Sequence, residues 1–251
     1  MKKIIWIDVG THFAQEHNSL FSSSLRFYYF VFKRFIGGKV LKRGRFVTFY
    51  QLKDIISSRT KIRRKSDAFY SIFVEANPKI ANKMNFYPQA DIFFNLALTD
   101  VRHSSFSVAK LYIGKGGELA EGNSLFLEKH KVHKDSYVAT FGVSANHFFN
   151  ALESYLKEKF HEYDILLRLN CEGVEDDVIY AAFECFGSKL RLVCGSLKDV
   201  EEIKGPEAFK KLQSFMSDKK LPFIKFSSGI YSWPNAHQAV LRLLEDNEKI
   251  V

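Results

Sequence analysis

The sequence predicts an α/β fold in which a mostly parallel central sheet is flanked by helices. Three observations lead there. Short, near-continuously apolar runs recur along the chain, as strands buried on both faces require. These runs alternate with stretches of helical spacing, the pattern of a parallel sheet covered on both sides. Polar residues punctuate the ends of the runs, at Asp8 and Gly10, at Glu75, from Asn95 to Thr99, and at Asn170 and Glu172. In a parallel sheet such ends share one edge, and ligands bind there, near the point where strand order reverses.

The first run, Lys3-Ile4-Ile5-Trp6-Ile7-Asp8-Val9-Gly10, reads as a buried strand followed by a tight turn. Residues 14–35 read as helix. Gly37-Gly38 and Gly44, with the basic residues around them, read as a loop or hairpin, and 49–56 as another amphipathic piece. A second strand over 68–75 ends in Glu75-Ala76-Asn77-Pro78, where the fixed φ of Pro78 suits the first turn of a helix. A third strand is expected over 91–98. Strands at 105–113 and 137–143 flank Gly114-Lys115-Gly116-Gly117 and a polar loop, and 145–160 is helical. The clearest strand is Asp164-Ile165-Leu166-Leu167-Arg168-Leu169-Asn170, which runs into Cys171-Glu172-Gly173-Val174-Glu175 and a helix to about residue 186. A strand over 189–194, a helix over 206–216, a strand over 222–226 and a helix over 234–245 complete the chain.

With 251 residues, 46% of them apolar, a single domain over 1–251 encloses an adequate core without disulfides or structural metal. Cys171, Cys185 and Cys194 are odd in number and show no metal-ligand spacing, which predicts reduced thiols. The apolar stretch Ile4 to Ile7 is too short for a signal peptide, and no segment has the length of a membrane span, so a cytoplasmic protein is expected. The net charge of +9 is uneven: residues 26–65 hold 13 basic residues against Asp54, a local +12 that leaves −3 elsewhere. Residues 19–66 are therefore expected to be a basic, aromatic insertion after the first strand. It reads in three ways: a solvated face with a buried aromatic side, a lid or groove for the phosphates of a nucleotide-linked sugar, or a patch facing nucleic acid or membrane. In the lid reading Arg63 and Arg64 bind substrate, with Lys115 from the later glycine-rich loop; that loop also reads simply as flexible surface.

The turn Asp8-Val9-Gly10-Thr11-His12-Phe13-Ala14 has one glycine where a dinucleotide fingerprint needs three, and no phosphate loop is present. An acid just before the glycine repels pyrophosphate and suits a ligand carrying an ammonium group. Glu75, at the end of the second strand, is placed to accept both hydroxyls of a ribose, or else to cap the helix beside Pro78.

These segments carry a resemblance. Asp8-Val9-Gly10-Thr11-His12-Phe13-Ala14 resembles the glycine turn of FkbM-type S-adenosylmethionine-dependent methyltransferases. Phe73-Val74-Glu75-Ala76-Asn77-Pro78 is similar to their second-strand motif, and Leu167-Arg168-Leu169-Asn170-Cys171-Glu172-Gly173-Val174-Glu175 to their segment Lys-x-Asp-x-Glu-Gly-x-Glu. The likeness covers about residues 3–15 and 68–186. It implies a Rossmann-like class I methyltransferase fold, with Asp8 and Gly10 on the methionine part of S-adenosylmethionine, Glu75 at the ribose, Asn95 and Ala97 near the adenine, Thr11, Ala76 and Asn170 also binding the cofactor, and Asn170 and Glu172 where the methyl group meets its acceptor. Arg168 and Asn170 replace the family's Lys and Asp, removing one carboxylate that would serve a metal or act as base. His12 and Ala14 replace Asn and Gly.

A sugar hydroxyl must lose its proton when it is methylated, so a base or a divalent metal helps. Glu172 is the first candidate base, with Asn170 beside it; a carboxylate that only caps a helix is the plain alternative. His12 is a second candidate, as base or substrate contact, against an ordinary partly exposed histidine. The eight histidines form no metal-ligand pattern, so no protein metal site is assigned, and a divalent metal stays open. The expected function is O-methylation of a carbohydrate hydroxyl on a nucleotide-linked or surface-polysaccharide sugar. A nucleic-acid methyltransferase and a non-catalytic cofactor-binding module are the alternatives.

Overall fold

A computed structural model describes residues 2–39, 47–83, 90–100, 105–119, 122–129 and 132–249. Strand β1 (Lys3–Val9) is followed by helices α1 (Gln15–Phe21), α2 (Ser24–Lys39) and α3 (Phe49–Arg64), then β2 (Phe69–Val74), the short α4 (Pro78–Ala81), β3 (Ile92–Phe94) and β4 (Ala97–Thr99). Next come β5 (Phe106–Gly114), β6 (Val132–Ser144), α5 (Ala145–Lys159), β7 (Tyr163–Leu169) and α6 (Glu175–Phe186). The chain ends with β8 (Leu190–Gly195), α7 (Lys198–Lys204), α8 (Pro206–Asp218), β9 (Phe223–Lys225) and α9 (Trp233–Lys249). Among the described residues no helix is long and apolar enough to cross a membrane.

Six strands form the central sheet in the order β3-β2-β1-β7-β8-β9, and every neighbouring pair is parallel. Ranked within the sheet this is the order of a doubly wound, Rossmann-like fold, and it reverses between β1 and β7. β7 and nearly all of β1 are buried, which is why they read as unbroken apolar runs. Their side chains still alternate between two cores. Ile5, Ile7 and Val9 of β1 and Ile165, Leu167 and Leu169 of β7 face α5, α6 and α8. Ile4, Trp6 and Leu166 face α1, α3 and α9.

The expected third strand is broken in two. Its first part, β3, pairs with β2 until the Glu75 amide donates to the carbonyl of Phe94 (3.0 Å). There the Asn95 side chain takes over the backbone's role and donates Nδ2–H to the Glu75 carbonyl (2.7 Å). The chain then leaves the sheet, and β4 joins β6 and β5 in a separate three-stranded sheet whose long pair, β5 and β6, is antiparallel.

The basic stretch also differs from expectation. Gly37 and Gly38 lie within α2 rather than in a loop, while Gly44 falls outside the described residues. Parallel β1 and β2 require a crossover helix, and α3 provides it. Its Ile55 and Ile62 are buried in one core with Val240, Leu241 and Leu244 of α9. Gln238 of α9 donates to the Ser58 hydroxyl (2.8 Å). Thr48 and Gln51 close the start of α3 with a reciprocal capping box. Much of the presumed insertion is thus part of the framework that covers one face of the sheet.

Candidate functional site

A crevice with a cavity volume of about 60 Å³, partly open to solvent, lies over the carboxyl ends of β1, β2 and β7, where strand order reverses. Three turns build its floor. After β1, Gly10 has φ 72°, and both its amide and that of Thr11 donate to the Val74 carbonyl (2.9 and 3.2 Å). A Cβ on Gly10 would lie 2.1 Å from the Asn170 carbonyl oxygen, so only glycine lets the turns after β1 and β7 touch. The Thr11 hydroxyl faces inward and donates to the Asp8 carbonyl (2.7 Å).

After β2, the buried Glu75 carboxylate is fixed by two backbone donors. His12 donates its amide to Oε2 (2.7 Å), and Asn77 donates to Oε1 (2.8 Å). Each oxygen keeps a second acceptor position. Burial pushes the Glu75 carboxyl above its usual range, with the two amides pulling the other way. Apolar walls rise beside it from Val74, Ile80, Leu96, Ala97, Leu98 and Leu125.

After β7, the amides of Cys171, Glu172 and Gly173 all donate to the carboxylate of buried Glu175 (2.9, 2.7 and 2.8 Å). Burial pushes this carboxyl up to about 7, against those donors. A concavity of amides that would otherwise suit a phosphate is thereby filled by the protein's own carboxylate. The same turn holds Glu172 at φ 63°, and its side chain ion-pairs with Lys129. Lys129 is buried and also pairs with Asp199 at 3.0 Å, giving a cluster of net charge −1.

Glu172, Asn170 and Gly122 line a second cleft as well, on the far side of the crevice rim. Lys115, Lys198 and Lys225 line it from exposed positions and Lys129 from a buried one, against the carboxylates of Glu16, Glu172 and Glu202. Among the described residues no lysine or arginine lines the crevice itself, which instead carries Glu75 and Glu172. The two compartments meet at Asn170 and Glu172, and among the described residues lysines line only the second.

The structure brings Gly10, His12, Glu75, Ala76, Ala97, Asn170 and Glu172 to the crevice and Lys115 to the neighbouring cleft. His12 is tied there by its ring, whose Nε2 lies 3.0 Å from the Leu119 carbonyl. Five expected residues do other work or lie elsewhere. Thr11 closes its own turn, and Asn95 pins the Glu75 backbone. Asp8 is fully buried on the opposite side of the sheet from the crevice, because it continues the series of Ile4 and Trp6. There it pairs with Arg168 (2.9 Å), which also pairs with Glu16 (2.7 Å) and donates to the Gly10 carbonyl (2.8 Å). Burial disfavours the Arg168 charge, but the two carboxylates more than offset it and raise the pKa above the ordinary arginine value. Arg63 and Arg64 lie at the opposite, amino edge of the sheet with Lys3 and Phe69, because a crossover helix runs against its strands and delivers its last turn to that edge. They do not reach the crevice.

Sequence reasoning missed Lys129, Asp199 and Glu16. No local pattern marks them, since each acquires its meaning from a partner on a distant element. Glu175 was legible as a helix-start carboxylate, though not as the group that closes the β7 turn.

Chemically, the crevice offers a rigid carboxylate with two free acceptor positions for a vicinal diol, flat apolar walls for a ring, and a negative field that favours a cationic ligand over a phosphate. Compared with protein-family models, with curated proteins and with solved structures, the chain matches none.

Proposed function

We propose that this chain is an S-adenosylmethionine-dependent O-methyltransferase acting on a carbohydrate hydroxyl of an anionic substrate, such as a nucleotide-linked sugar. One observation carries the reading: a crevice that bears carboxylates and, among the described residues, no lysine or arginine adjoins at Asn170 and Glu172 a cleft with four lysines against three glutamates. A cationic nucleoside without phosphates suits the first compartment, and a phosphate-bearing acceptor suits the second.

When bound, S-adenosylmethionine would supply an activated methyl group on a sulfonium. Glu75 would hold the ribose diol, with the adenine against Leu96, Ala97 and Leu98. Lys115, Lys198 and Lys225 would hold the acceptor's anionic part and so orient its hydroxyl. That hydroxyl must give up its proton, and Glu172, which lines both compartments where they meet, is the candidate acceptor. Holding a divalent ion is not needed for that step, so metal dependence is decided by assay.

The position of Arg63 and Arg64 at the opposite edge disfavours methylation of a nucleic acid held by them. The test is a panel of nucleotide sugars incubated with S-adenosylmethionine, with and without Mg²⁺ or Mn²⁺, and read by mass for a gained methyl group. Methylation of at least one nucleotide sugar is expected. Cofactor binding without turnover on any of them would point to a binding module and contradict the enzymatic reading.

A further inference from the structure

At the amino edge of the sheet, opposite the crevice, a broad groove is lined by five basic residues, Lys3, Arg59, Arg63, Arg64 and Lys159, against the acids Asp67 and Asp91. Arg59 is the unusual member. It is 3% exposed, its guanidinium stacks 4.1 Å from the centre of the Phe27 ring, and one nitrogen donates to the Ser22 carbonyl (2.5 Å). Its Nε has no partner, and among the described residues no carboxylate pairs with it. A buried guanidinium without a counter-ion is destabilising. Burial, and then repulsion from Arg63, push the Arg59 pKa down to about 10. The Asp91 carboxylate accepts the Ser71 amide, and among the described residues neither Asp67 nor Asp91 forms an ion pair with Arg59.

The groove is bordered by α2, which contributes Ser24 and Tyr28 to its wall. Beside them α2 presents a stripe at i, i+3, i+4 and i+7: Leu25, Tyr28, Tyr29 and Phe32, exposed by 84%, 49%, 67% and 64%. Single exposed apolar residues are ordinary, but a continuous stripe of four along one helix face marks a surface that meets something apolar. Exposed Arg26 and Lys33 flank it.

We propose that the groove and the α2 stripe together dock this protein on an anionic phospholipid surface. A lipid phosphate supplies the counter-ion that Arg59 lacks, with Arg63 and Arg64 beside it. The stripe enters the boundary between headgroups and acyl chains, where tyrosine and phenylalanine are favoured. A bilayer offers the anion and the apolar phase on one face, which a nucleic acid does not: its phosphates match the groove but leave Leu25 and Phe32 in water. The net charge of +12 that residues 26–65 carry in the sequence adds long-range attraction to such a surface. Docked this way, the crevice at the opposite edge faces water. The proposal does not depend on the methyltransferase reading.

The experiment is co-sedimentation of the full chain with vesicles of phosphatidylglycerol and phosphatidylcholine, against vesicles of phosphatidylcholine alone. Binding at least tenfold tighter to the anionic vesicles, weakening as salt rises, is expected. Leu25→Ser with Phe32→Ser, at exposed positions that leave the core intact, should weaken it at least tenfold, and so should Arg63→Glu with Arg64→Glu. Folding of each variant is checked by circular dichroism. No binding of the folded protein to anionic vesicles would overturn the proposal, as would undiminished binding of the Leu25/Phe32 variant. Stabilisation by inorganic phosphate with no vesicle binding, or release from vesicles by equimolar single-stranded RNA, would equally overturn it.

Discussion

Gly10 is where two strand ends come within contact, and its consequences are those of a single missing methyl group. Its φ of 72° is strained for other residues, and the space for a Cβ is taken by the Asn170 carbonyl. Gly10→Ala should therefore cost at least about 3 kcal/mol in a urea melt, combining backbone strain with a steric clash. Gly117, with φ 87° and open space around it, is the control: its alanine variant should lose only about 1 kcal/mol. Equal losses would mean that backbone conformation alone explains Gly10. His17 allows a second test. Burial pushes it down to about 3, and its Nε2 lies 2.9 Å from the Ser71 hydroxyl. The unfolded chain takes up a proton near pH 6.5 while the folded one refuses it, so stability is full above that pH and falls as pH drops toward 3. His17→Gln should make the stability loss between pH 6 and 4 shallower by about 1.4 kcal/mol per pH unit. An unchanged slope would show that His17 titrates alike in both states.

Among elements, the junction of β1, β7 and α1 is held by charge. Arg168 of β7 grips Asp8 of β1 and Glu16 of α1 in the core. Arg168→Met leaves two buried carboxylates without a cation and should cost about 3–5 kcal/mol, measured by chemical unfolding. A loss under 1 kcal/mol would mean that Asp8 and Glu16 simply take up protons. This junction also shows what the sequence conceals. β1 and β7 were legible as strands because burial on both faces makes them continuously apolar, but the same feature removes the polar alternation that would reveal which way Asp8 points. The end of the β3 ladder depends on a hydrogen bond from Asn95 to the Glu75 backbone, and no short-range pattern announces it. Conversely Glu75, Asn170 and Glu172 were legible because strand-end polar groups in a parallel sheet have one place to go. The crossover role of α3 was hidden by its basic composition, although the need for a helix between parallel β1 and β2 follows from topology.

Across the whole molecule, charge is sorted by edge. The carboxyl edge holds an acidic crevice beside a lysine-bearing cleft, and the amino edge holds the arginine groove. In the proposed reaction Glu172 receives a proton during chemistry, while Lys129 offsets part of its charge, so its contribution to cofactor affinity is small. Glu172→Gln should thus lower turnover about 100-fold while cofactor affinity changes less than threefold. A parallel loss of affinity would assign Glu172 to binding. Calorimetric titration with S-adenosylmethionine tests the central claim most directly, on the folded chain and on Glu75→Ala. Saturable binding is predicted, weakened at least tenfold by the Glu75 substitution, since a rigid carboxylate loses two hydroxyl contacts. Absence of binding at millimolar cofactor, or an affinity indifferent to Glu75, would contradict the account.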